Sequence, residues 1–96
     1  MAKLNWDSVQ ELAQRKATLL TKTKVPFQIL ATSDNSVIIR VSSGRKHTIS
    51  RIHLETAVAK IQEGFILSGP LDYRNKIADD RPAYAWAILR ELGYIK

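Results

Sequence analysis

The sequence predicts an α+β fold in a single domain spanning residues 1–96, in the order α-β-β-β-α, an irregular crossing and a final α. Three observations carry this reading. Apolar residues recur at helical spacing near both ends and in the middle of the chain, three short β-rich runs lie together between residues 27 and 51, and the loops joining those runs are short enough to force neighbouring strands together. A three-stranded antiparallel sheet with helices packed mainly on one face is the layered arrangement that buries these stripes. Ninety-six residues suit one such core and are too few for two.

The first helix has a marked start. Asn5 is placed as N-cap, Asp7 falls in the first turn, and Leu4 and Val9 have the spacing of a hydrophobic staple. Trp6, Val9, Leu12, Ala13, Leu19 and Leu20 share one broad face at 100° per residue, so the helix is expected to run to about Leu20, before Thr21-Lys22-Thr23-Lys24 and Pro26. Lys16 then lies within the apolar stripe, its stem packed and its ammonium reaching water.

Three strands are expected next, at Phe27 to Thr32, Val37 to Ser42 and His47 to Ser50 or Arg51, enriched in β-branched residues or alternating. Ser33-Asp34-Asn35-Ser36 and Ser43-Gly44-Arg45-Lys46 supply the residues that tight turns require. A second helix starts after Ser50 and runs to Glu63, since Leu54, Ala57, Val58 and Ile61 repeat helically and Gly64 can close it. Phe65-Ile66-Leu67 reads as a short strand or a crossing at the sheet edge, and residues 71–78 carry no assignable pattern. The last helix is bracketed by Asp79 or Asp80 as cap, Pro82 in its first turn and Gly93 past its end, with Ala85, Ile88, Leu89 and Leu92 as its stripe.

In element order alone, the first 63 residues are similar to double-stranded RNA-binding domains. That family carries a lysine-rich start to its second helix and a Gly-Pro-x-His turn, whereas this chain has Arg51-Ile52-His53-Leu54-Glu55 and Asp34-Asn35 there. The likeness therefore stops at topology.

Charge is the strongest functional signal. Fifteen Lys and Arg face nine Asp and Glu, giving +6, and residues 35–54 alone hold Arg40, Arg45, Lys46 and Arg51 with no acid. If Val37, Ile39, Val41 and Ile49 face the core, then Arg40, Ser42, Thr48 and Ser50 point outward beside Arg45, Lys46 and His47. Cations and hydroxyls on a sheet face are what phosphate contacts use, and they confer affinity more than sequence specificity. The expected nucleic-acid-binding residues are thus Arg40, Ser42, Arg45, Lys46, His47, Thr48 and Arg51. A solvated polar face that discourages edge-to-edge aggregation is the competing explanation.

A second surface is the last helix, where Tyr84 and Trp86 flank the main stripe. Such a helix is apolar nearly all round, so it is either wedged inside the domain or covered by a protein partner or a second copy. Tyr84, Trp86 and Arg90 are the expected partner-binding residues in the latter case.

Other chemistry finds little support in the sequence. His47 and His53 match no metal-ligand spacing, Asp79-Asp80 is explained by helix capping, and neither a nucleophile elbow nor a phosphate loop is present. No catalytic residue, cofactor or metal is expected. The absence of cysteine suits a reducing cytoplasm, the first residues do not resemble a secretory signal, and the longest apolar stretch, Ala83 to Leu89, is too short to cross a bilayer.

Overall fold

The chain enters its first helix, α1 (Trp6–Gln14), through the expected cap: the Asn5 side-chain oxygen accepts from the Asp7 amide at 3.1 Å. The structure, a computed structural model, describes residues 4–64 and 82–95. Trp6, Val9, Leu12 and Ala13 are the buried face of α1.

The helix then stops about six residues earlier than its apolar stripe suggests. Lys16 adopts a left-handed conformation (φ 47°), its amide donates to the Ala13 carbonyl at 3.1 Å, and the Ala17 amide donates to the Leu12 carbonyl at 2.9 Å. This is the paired hydrogen bonding of a Schellman ending, made with lysine at the position glycine usually takes. Lys16 is therefore exposed outside the helix instead of lying in its stripe.

The residues released become a fourth strand, β1 (Thr18–Leu20), with Leu19 buried and its neighbours exposed. It pairs antiparallel with β2 (Pro26–Thr32), which pairs with β3 (Ser36–Val41), which pairs with β4 (Lys46–Ser50). The sheet order is β1-β2-β3-β4, a four-stranded meander where three strands were expected. With β1 present the order becomes α-β-β-β-β-α, so the topological likeness to double-stranded RNA-binding domains no longer holds.

Two of the three hairpins share one geometry. In the first, the Lys24 amide donates to the Thr21 carbonyl (2.8 Å) and the Thr21 amide to the Val25 carbonyl (3.0 Å). In the second, the Gly44 amide donates to the Val41 carbonyl and the Val41 amide to the Arg45 carbonyl, both at 2.9 Å. Each is a tight turn followed by one left-handed residue, the usual three-residue hairpin loop. Between them β2 bulges at Leu30, because Ile29 pairs with Ile39 while Ala31 pairs with the next residue, Ile38.

The register sorts the side chains by face. Leu19, Phe27 and Val41 form one inward row, Ile29 and Ile39 the next, and Val37 and Ile49 the last. Helix α2 (Arg51–Gln62) lays Leu54, Ala57 and Val58 on the core, and α3 (Pro82–Glu91) buries five consecutive residues, Ala85 to Leu89. Each fully buried Ile or Leu contributes about 1.5–3 kcal/mol of transfer free energy, so this one cluster holds the sheet to its helices.

Both helices fall where their sequence patterns put them. Helix α3 ends with the Gly93 amide on the Arg90 carbonyl and the Tyr94 amide on the Leu89 carbonyl, with Gly93 at φ 89°. The expected segment at Phe65 to Leu67, the unassigned residues 71–78 and the Asp79 or Asp80 cap lie outside the described residues. No described helix is long and apolar enough to cross a membrane.

Candidate nucleic-acid interface

A meander puts alternate loops at alternate ends of its sheet. The turns at residues 21–25 and 42–45 therefore share one end, and the turn at residues 33–35 lies at the other. Between residues 15 and 50 the cations are Arg15, Lys16, Lys22, Lys24, Arg40, Arg45 and Lys46, and the only acid is Asp34. Lys22, Lys24, Arg45 and Lys46 fall on or beside the two hairpin loops, while Asp34 falls at the far end.

Arg40 joins this group from one row further in. It is paired across the strands with Lys46, both are exposed, and Gln28 and Thr18 continue the same row across β2 and β1. Directly opposed like charges on a sheet are unfavourable by about 0.2–1 kcal/mol. Here two of them stand on the open face, with Thr48 exposed one row away opposite Ile38 and Ser42 exposed in the adjoining turn. The Gln28 amide group donates to the Lys16 carbonyl at 3.1 Å, which fixes the chain leading into β1 against this face.

Two of the expected residues lie elsewhere. His47 pairs with Ile39, a buried core residue, so alternation turns its half-buried side chain away from Lys46 and Thr48. Arg51 lies at the opposite end of β4 and is engaged within the fold. Its amide donates to the Asn35 carbonyl (2.8 Å), its guanidinium donates to the Asp34 carbonyl (3.2 Å), stacks 4.5 Å from the centre of the Trp6 ring and lies 3.6 Å from the Glu55 carboxylate. Arg51 clamps the 33–35 turn to the start of α2. Ser50, expected beside the patch, is half-buried opposite Ser36 at that same end.

The three residues of the last helix are also spent inside the chain. Trp86 is 3% exposed, and Tyr84, half-buried, meets Phe27 edge to face with ring centres 5.0 Å apart. The Arg90 guanidinium lies 4.8 Å from the centre of the Trp86 ring and donates to the Leu20 carbonyl at 2.9 Å, joining α3 to the edge strand β1. The one acid on α3, Glu91, is exposed.

Lys22 and Lys24 join the candidate site on a hairpin that the sequence reading did not expect. Read as a linker after a long helix, Thr21-Lys22-Thr23-Lys24 has no glycine to mark a hairpin. The available signal was the alternation of Ala17, Leu19 and Thr21, all three buried in the fold.

A groove at the other end of β2 carries less chemistry. It runs between α1 and the part of β2 that β1 does not reach, and its lining of Gln10, Ala13, Gln14, Leu30, Ala31 and Thr32 contains no titratable side chain. Compared with known proteins, the chain matches no family model, no curated protein and no solved structure.

Proposed function

We propose that this protein is a non-enzymatic binding module that contacts the phosphate backbone of nucleic acid through the hairpin end and open face of its sheet. The observation that carries the reading is the pairing of Arg40 with Lys46 on an exposed face, beside two hairpin loops that bring Lys22, Lys24 and Arg45 to the same end. Cations gathered on one surface attract a polyanion and release its counterions, a gain independent of base sequence. Ser42, Thr48 and Gln28 add neutral donors of the kind that fix register on phosphate oxygens.

Fluorescence-anisotropy titration of labelled nucleic acid at several salt concentrations tests this. Each neutralised phosphate on a duplex contributes about −0.9 to the slope of log affinity against log salt. Arg40→Gln with Lys46→Gln reduces the magnitude of that slope by up to about 2, whereas Lys60→Gln on α2 leaves it nearly unchanged. No binding at low salt, or equal losses from the sheet and α2 variants, removes the proposal.

A further inference from the structure

We infer that the two hairpins act as paired prongs that straddle a groove of double-stranded nucleic acid, one prong on each strand's backbone. This rests on the nucleic-acid reading above and names the form of nucleic acid it takes.

The argument starts from the repeat of one loop geometry. The turns at 21–25 and 42–45 have the same hydrogen-bond pattern and the same left-handed residue before the returning strand, so they leave the sheet in the same way. They lie between β1 and β2 and between β3 and β4, hence two strand spacings apart. At about 4.8 Å per spacing, the two loop axes are roughly 10 Å apart. Each carries cations at or beside its tip: Lys22 and Lys24 on one, Arg45 and Lys46 on the other.

That separation fits two backbones better than one. The minor groove of a B-form duplex opens about 6 Å, which puts its facing rows of phosphorus atoms roughly 12 Å apart once the phosphate groups are counted. The B-form major groove, about 12 Å wide, holds them too far apart for loops at this distance. An A-form duplex offers a broad, shallow minor groove and a deep, narrow major groove, which is why DNA and RNA duplexes must be compared. A single strand has only one line of phosphates to offer and gains most from aromatic stacking. Among the described residues the aromatic rings do not provide that platform. Trp6, Phe27 and Trp86 are buried, and the half-buried Tyr84 and Tyr94 pack against the core. The open sheet face itself carries Thr18, Gln28, Arg40, Lys46 and Thr48.

The experiment compares two variants, Lys22→Gln/Lys24→Gln and Arg45→Gln/Lys46→Gln, on a labelled DNA duplex, one of its component strands and the matching RNA duplex. Glutamine keeps a flexible polar side chain without the charge and adds no backbone demand, and a denaturation midpoint no lower than that of the unaltered protein verifies the fold. On the DNA duplex both prongs are needed at once, so either variant loses about tenfold or more at low salt. On the single strand the remaining hairpin still serves, so either variant loses no more than about twofold. Equal losses on duplex and single strand, or tighter binding of the RNA duplex than the DNA duplex, overturn the inference while leaving backbone binding in place. If the unaltered protein binds none of the three, the underlying reading fails with it.

Discussion

Lys24 and Gly44 hold the same position in two hairpins of one geometry, each left-handed, at φ 66° and 88°. For glycine that conformation has no steric cost, whereas for a residue with a Cβ it costs about 1–2 kcal/mol. One hairpin therefore folds with its backbone relaxed and the other with a lysine held against its preference. At that cost the first hairpin carries a positive charge where the second carries none.

Exchanging the two residues' roles gives opposite outcomes. Lys24→Gly is expected to raise stability by up to about 1 kcal/mol, the freed strain being partly offset by the extra freedom of glycine in the unfolded chain. Gly44→Ala is expected to lower it by about 1–2 kcal/mol. A Cβ at Gly44 meets nothing within 4 Å, so the loss comes from the backbone alone. Chemical denaturation midpoints measure both, and a Gly44→Ala midpoint equal to wild type would show that the turn relaxes into another conformation.

Arg40 and Lys46 are expected to trade stability for binding. Arg40→Thr removes an opposed like-charge pair and introduces a good strand former, so stability rises by about 0.2–1 kcal/mol. Affinity for nucleic acid falls in the same variant. A rise in stability with unchanged affinity would mark the pair as incidental to binding.

Arg51 belongs to the scaffold, so its loss should appear in stability and not in the salt dependence of binding. Arg51→Ala removes the hydrogen bond to the Asp34 carbonyl and the stacking on Trp6, together worth about 1–2 kcal/mol. Arg51→Lys restores little of this, because an ammonium cannot stack on the indole and reach the carbonyl in the same flat geometry. A salt slope reduced as much as in the Arg45/Lys46 variant would place Arg51 in the interface after all.

The last helix supplies five buried residues in a row to the core. Leu89 is fully buried, so Leu89→Ala costs about 2–5 kcal/mol. Trp86, covered from within the chain, is expected to emit at blue-shifted wavelengths that do not change on dilution. Emission that shifts on dilution, together with concentration-dependent mass, would favour a partner-covered helix.

Much of the described fold could be read from periodicity and caps: Asn5, Ser50 and Pro82 mark the starts of the described helices, and Gly44 and Gly93 sit where a turn and a helix end need them. What escaped the reading has one physical origin. Lys16 and Lys24 adopt the left-handed conformation without being Gly, Asn or Asp, so neither the end of α1 nor the first hairpin carries its usual sign. Leu19 fits the helical stripe of α1 and the alternation of β1 equally well, and a three-residue strand gives too few positions to separate the two periods. The cationic patch was legible at Arg40, Arg45 and Lys46. His47, expected in the hairpin beside that patch, pairs with Ile39, and its alternation with Lys46 and Thr48 was there to read. The place of Arg51 depended on contacts with Trp6, Asp34 and Glu55 that only the folded chain assembles.

The hydrogen bonds from Arg90 to the Leu20 carbonyl and from the Asn5 amide to the Tyr94 hydroxyl span 70 and 89 positions of sequence. The sheet, by contrast, pairs only neighbours, so its hairpins can close on microsecond timescales as soon as their strands exist. During synthesis the four strands can be made and paired while their inner rows of Leu19, Phe27, Ile29 and Ile39 still lack α3, the last of the described helices. Until Ile88 and Leu89 join them, α1 and α2 cover only part of that apolar face, and the length of chain between β1 and α3 sets how long the remainder stays open to water, where it is prone to aggregation.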